Sequence, residues 1–156
     1  LNALCGRAKL ARVSKTPGRT TEINFFRIDD AWFIADLPGY GYAKRARGDR
    51  DAWEPVIVAL LDDPRTRTIL LAADIRRDPE DEEVLLGEMA RQRGLTLRII
   101  LTKSDKLGKN DRQKRLTVWK NFVGASFPDP AVTSAKSKEG IAERVAAISV
   151  DPSASR

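Results

Sequence analysis

The sequence predicts an α/β fold: a mostly parallel sheet covered on both faces by helices, with one antiparallel hairpin at its edge. Three observations predict it. The runs Thr68 to Ala73 and Leu95 to Leu101 are largely apolar, as strands buried on both faces are. Helical spacing returns before, between and after them, and strands alternating with helices build parallel sheets. Ahead of them, two β-branched and aromatic runs flank Asp29-Asp30, the pattern of a hairpin.

The elements follow in order. Leu1 to Cys5 reads as the last turn of a helix ending at Gly6, where a left-handed C-cap is common; such a helix is expected to start upstream of this chain. Lys9 to Thr20 is a basic loop with a Pro17-Gly18 signal. Glu22 to Ile28 and Ala31 to Ala35 form the hairpin. Asp36-Leu37-Pro38-Gly39-Tyr40-Gly41-Tyr42-Ala43 is a glycine-rich loop. Asp51 to Leu61 places Trp53, Val56, Ile57, Leu60 and Leu61 at helical spacing. After the strand at Thr68 comes a helix, Pro79 to Arg93, with an acidic first turn and Gly94 as its stop. The second apolar strand follows, then a basic helix from Asn110 to Val123, a short strand from Ala131 to Thr133, and a helix from Lys138 to Ile148. Residues 1–150 read as one domain and 151–156 as a polar tail.

Composition narrows the function. The 42% apolar and 32% charged residues describe an ordinary globular chain. No apolar run is long enough to cross a membrane. One cysteine, Cys5, makes no internal disulfide, and the absence of histidine disfavours zinc and His-based catalysis; a cytoplasmic setting is expected. The net charge of +6, from 28 Lys and Arg against 22 Asp and Glu, favours an anionic partner weakly.

Parallel sheets bind ligands at the carboxyl ends of their strands, and four polar clusters fall there. Thr16 to Thr21 precedes the hairpin. Asp36-Leu37-Pro38-Gly39 follows it. Thr102-Lys103-Ser104-Asp105 follows the second apolar strand, and Ser134-Ala135-Lys136 the last one, at Thr133. The Asp105 carboxylate offers two acceptors that match the N1–H and 2-amino donors of guanine, a match adenine lacks. The Lys103 stem can lie over a base. The Ala135 amide, beside a small side chain, can donate to the guanine O6. Asp36 and Thr20 are hard oxygen ligands suited to Mg²⁺. Gly39, without a Cβ, lets its N–H approach a phosphate. Each cluster alone reads as well as a solvated turn; their order and placement at successive strand ends give the pattern its weight.

Thr16-Pro17-Gly18-Arg19-Thr20, then Glu22-Ile23-Asn24-Phe25-Phe26, then Asp36-Leu37-Pro38-Gly39-Tyr40-Gly41-Tyr42-Ala43 resemble the EngB/YsxC family of GTPases, from Leu1 to about Ile148. The resemblance implies a P-loop NTPase-type three-layer sandwich binding GTP and GDP with Mg²⁺. It makes Thr20 the switch I magnesium residue and Asp36 to Gly39 the head of switch II. Thr102, Lys103, Ser104 and Asp105 become the base reader, with Thr133, Ser134, Ala135 and Lys136 closing the pocket. Thr20 and Gly39 take catalytic roles. The family implies a GTPase switch in assembly of the bacterial large ribosomal subunit, required for normal cell division and septation.

One element of the family pattern is not found in the sequence: the phosphate-binding loop Gly-x-x-x-x-Gly-Lys-Ser. In relatives it precedes a helix like Leu1 to Cys5, so the chain reads as incomplete at its N-terminus, without the first strand. Weak GTP binding and two unpaired strand edges are the expectation. Tyr40 stands where many small GTPases carry a water-orienting glutamine, implying slow intrinsic hydrolysis; packing within switch II is the alternative.

Basic residues flank the site. Lys15, Arg19, Lys44 and Arg45, with Tyr40 and Tyr42 for stacking, are candidates for rRNA contact. Arg112, Lys114, Arg115 and Lys120 read instead as a solvated helix face. Two functional readings stand: a GTP-hydrolysing switch, monomeric by default, and a non-hydrolysing RNA- or ribosome-docking module. The guanine pattern favours the first, and the missing loop the second.

Overall fold

The computed structural model describes residues 23–28, 32–37 and 47–141. Strands β1 (Asn24–Ile28) and β2 (Trp32–Asp36) pair antiparallel, Ile28 opposite Trp32 and Asn24 opposite Asp36. Helix α1 (Arg47–Asp62) carries Pro55 in its interior. Strand β3 (Thr68–Asp74), helix α2 (Asp81–Gln92), strand β4 (Thr96–Thr102), a 3₁₀ turn (Ser104–Lys106), helix α3 (Lys109–Val123) and strand β5 (Ala131–Val132) follow. The strands β3, β4 and β5 lie side by side in that order, all parallel. The mixed α/β fold with a mostly parallel sheet and an antiparallel hairpin is therefore as expected. Each expected element within the described residues is present, with ends moved by a few residues. The expected helix after Lys138 lies almost wholly outside them, as do Leu1 to Cys5 and the loop after Leu37.

The core explains the order. Leu97, Ile99 and Leu101 alternate along β4 and so share one face. They join Leu86 and Ala90 of α2 and Trp119 and Val123 of α3 in a single cluster. Burying each large apolar side chain stabilises the fold by about 1.5–3 kcal/mol. Ile100, on the other face of β4, is buried too, which is why β4 reads as a nearly unbroken apolar run.

Polar groups close the helix ends. Glu83 is almost fully buried; it accepts from the Glu80 N–H at 2.8 Å and from Arg77 Nη2 at 2.6 Å. That capping box starts α2. Gly94, at φ +65°, ends it, and the Leu95 N–H donates back to the Ala90 carbonyl at 2.9 Å.

The basic face of α3 departs from its reading as solvated. Arg115 donates to the Ile75 carbonyl at 3.1 Å and to Asp78 at 2.8 Å. Lys120 pairs with Asp129. Arg112 pairs with Glu139 at 2.6 Å. Three of the four charges thus hold loops to the helix. Their ion-pair partners stand 9 to 37 residues away in sequence, beyond the reach of a local charge pattern.

Candidate functional site

The carboxyl ends of β3, β4 and β5 converge. The Thr102 hydroxyl donates to the Ala73 carbonyl at 2.9 Å, and the Ile75 N–H donates to the Thr102 carbonyl at 3.1 Å. On the other side, the Thr133 N–H and hydroxyl both donate to the Leu101 carbonyl, at 2.7 and 3.2 Å, and the Ser104 N–H donates to the Thr133 carbonyl at 3.2 Å. These bonds lock the two base-loop candidates, 102–105 and 133–136, against each other.

Their side chains meet as well. The Ser134 hydroxyl, fully buried, donates to Asp105 Oδ1 at 2.7 Å. The Ser134 hydroxyl oxygen in turn accepts from the N–H groups of Lys136 and Ser137 at 3.2 and 3.1 Å. Its proton is therefore committed to Asp105 and its lone pairs to the loop. The Ser134 bond, more than any other influence, holds the Asp105 carboxyl below its ordinary value, with Lys106 and Lys136 adding attraction. Asp105 stays ionised and acceptor-only. Its Oδ2 has Lys106 Nζ only at 4.0 Å, leaving that oxygen available to a donor edge.

Lys103 adopts φ +63° and ψ +32°, a left-handed conformation uncommon for a residue with a Cβ. Such strain costs about 1–3 kcal/mol and collects at functional sites. Its ammonium lies 3.1 Å from Asp74 Oδ2. Asp74, paired in register with Thr102 at the end of β3, also accepts from Arg76 Nε and Nη2 at 2.9 and 2.7 Å. Arg76 is the main cause holding the Asp74 carboxyl far below the usual range, with Lys103 a smaller one. The apolar run in the sequence ends at Ala73 and so misses Asp74, which the structure makes the last residue of β3. The signal that finds it is a carboxylate at the tip of a buried parallel strand.

The remaining candidates divide by position. Asp36 closes β2, half-buried, with Leu37 after it. Among the described residues no strand bonds the hairpin to the three-stranded sheet. Thr20, Pro38, Gly39, Tyr40, Tyr42, Lys44, Arg45, Lys15 and Arg19 lie outside the described residues. No group of three acidic or sulfur ligands that could hold a metal occurs among the described residues. Of the two expected magnesium ligands, Asp36 and Thr20, only Asp36 falls among the described residues; magnesium takes one or two protein oxygens and completes its shell with water and phosphate. No helix among the described residues is long and apolar enough to cross a membrane.

Comparison with known proteins agrees with this geometry. Residues 1–103 match a family described as 50S ribosome-binding GTPase. A probable GTP-binding protein EngB of Desulfovibrio desulfuricans is 36% identical over 162 residues, covering 99% of this chain and 79% of that protein. That of Geobacter metallireducens is 38% identical, covering 96% and 74%. That of Oleidesulfovibrio alaskensis is 40% identical, and the chain spans only 60% of its length. Among solved structures, a probable GTP-binding protein engB superposes with a TM-score of 0.72 at 19% identity, over 94% of this chain and 87% of that one. Apo translation elongation factor SelB from Methanococcus maripaludis gives 0.58 at 17%, over 81% and 27%. Together with the matched GTPase family, the first of these likenesses supports a P-loop NTPase-type fold. With residues 102–105 and 133–136 brought together at the strand tips, a matching GTPase family model and relatives this similar along nearly the whole chain, the protein belongs to the EngB family of GTP-binding proteins.

Proposed function

We propose that the carboxyl ends of β4 and β5 form the guanine-reading half of a GTPase switch that acts in assembly of the bacterial large ribosomal subunit. The observation that carries the reading is the Ser134 hydroxyl on Asp105 Oδ1 at 2.7 Å. It holds an ionised carboxylate with one oxygen open, next to the loop that carries the Ala135 amide. Asp105 accepts from the guanine N1–H and 2-amino groups, the Ala135 amide donates to O6, and the Lys103 stem covers the ring. Thr102, Ser104, Thr133 and Lys136 support these three through the backbone.

Mg²⁺ fits Asp36 together with Thr20, and Gly39 offers its N–H to the terminal phosphate. When bound, the ion would neutralise phosphate charge. The residues Lys15, Arg19, Lys44, Arg45, Tyr40 and Tyr42 supply cations and rings for rRNA, so that nucleotide state and RNA affinity are coupled. The matched family's description as 50S ribosome-binding supports that partner. A cytoplasmic monomer with a role in cell division accords with this reading.

The test is a change of base preference. Asp105→Asn presents one acceptor and one donor, which match xanthine's N1–H and C2 carbonyl and mismatch guanine's two donors. The variant is expected to lose guanine nucleotide affinity by a factor on the order of 10² and to gain xanthine nucleotide affinity. Unchanged guanine binding, by calorimetric titration, would remove Asp105 from the base site.

A further inference from the structure

An ion pair outside the base-contacting residues ties both base loops to one helix. Arg112, in the first turn of α3, spreads its guanidinium between them. Nη1 donates to Glu139 Oε1 at 2.6 Å, and Nη2 donates to the Ser104 carbonyl at 3.2 Å. The fully buried Ser104 hydroxyl reaches Glu139 Oε2 at 3.3 Å. The Glu139 carbonyl accepts the Ser134 N–H at 3.1 Å, so Glu139 grips the second loop by its backbone and the first by its carboxylate. The next residue leaves no slack. Gly140 sits at φ +69°, where an added Cβ would stand 2.3 Å from the Val132 carbonyl oxygen.

We propose that Arg112 and Glu139 are positioning residues of the base pocket, setting the spacing between the Asp105 carboxylate and the Ala135 amide. The inference rests on the guanine reading above. Guanine must meet both loops at once, O6 on one and N1–H with the 2-amino group on the other. A shift of one loop against the other therefore weakens both sets of contacts together. Arginine suits the role because its planar fork serves two acceptors in fixed directions; a lysine ammonium serves the same points without that geometry. Neither Arg112 nor Glu139 is among the proposed base contacts; their bonds run to Ser104 and Ser134, and they act through these.

The experiment titrates the ¹⁵N-labelled full chain with guanosine 5′-monophosphate and inosine 5′-monophosphate, which lacks the 2-amino group, following the Asp105, Ser134 and Ala135 amides by NMR. Arg112→Ala is expected to raise the guanosine monophosphate Kd about tenfold and to shrink the preference over inosine monophosphate. Arg112→Lys restores part of the loss. Glu139→Gln, equal in shape, gives an intermediate loss. A purely structural clasp lowers the thermal midpoint and leaves the base preference as it was. If Arg112→Ala fails to fold, Glu139→Gln decides. A folded clasp variant that keeps both the Kd and the base preference overturns the proposal. Asp105→Asn separates the two ideas: a switch to xanthosine monophosphate with unaffected clasp variants keeps the guanine site and discards the clasp. No switch, or no response of the parent chain to guanosine monophosphate, removes the guanine reading itself.

Discussion

Asp74 shows how much one carboxylate can organise. Its two oxygens accept from Arg76 three times, counting the Arg76 N–H at 3.1 Å, and face the Lys103 ammonium. Because Arg76 first and Lys103 after it depress the folded pKa, the group releases its proton more readily folded than unfolded. The stability it contributes is therefore complete above the unfolded carboxylate value of 3.8 and is lost as pH falls below it, towards the folded pKa. Asp74→Asn is expected to be less stable than the parent at neutral pH. Denaturant unfolding from about pH 6 to about pH 2 should show that gap closing below the unfolded value, as the unfolded chain takes up a proton that the folded carboxylate still refuses. A gap constant across this range removes the charge from the explanation. At this scale the sequence was legible where chemistry stands next to a recognisable strand, as for Lys103, Asp105 and Ser134. It was not legible for Glu139, whose role depends on an arginine 27 residues earlier, nor for the left-handed backbone of Lys103, which side-chain identity does not announce.

Among elements, α3 carries weight that its polar sequence conceals. Only Trp119 and Val123 are fully packed into the core, yet Trp119 is completely buried, touches Phe122 edge-on with ring centroids 5.9 Å apart, and donates its indole N–H to the Arg77 carbonyl at 3.1 Å. The helix is thus pinned to the segment between β3 and α2 by an indole, and again by Arg115 on Ile75 and Asp78. Trp119→Ala removes the ring and orphans that carbonyl, and is expected to cost about 3–5 kcal/mol of stability in denaturant unfolding. Trp119→Phe keeps most of the apolar volume and should cost distinctly less; equal losses would assign the whole effect to the hydrogen bond. Periodicity found these helices because their apolar spacing is local. It misjudged the charged face because ion pairs across loops leave no periodic trace.

For the molecule as a whole, the two sheets matter most. Strand order β3-β4-β5 leaves one side of β3 without a strand partner among the described residues, and the β1–β2 hairpin forms a separate pair. The composition of β3, Thr-Ile-Leu-Leu-Ala-Ala-Asp, is that of an interior strand, yet its residues are mostly only half-buried, whereas β4 is largely buried. Hydrogen exchange should rank accordingly, with β4 amides the slowest and every second amide of β3 exchanging far faster than its neighbours. Uniform protection along β3 would mean that its outer edge is covered. The alternation of apolar strands with helices made the parallel arrangement readable in advance; how the hairpin joins the sheet was not, because strand order is set by long-range pairing rather than by local pattern. The placement of Trp119 adds a practical consequence. A shielded indole hydrogen-bonded to the backbone just beyond Arg76 is an intrinsic optical probe of the β3 tip. With Trp32 and Trp53 replaced by phenylalanine, its emission reports the packing of that segment without any attached dye.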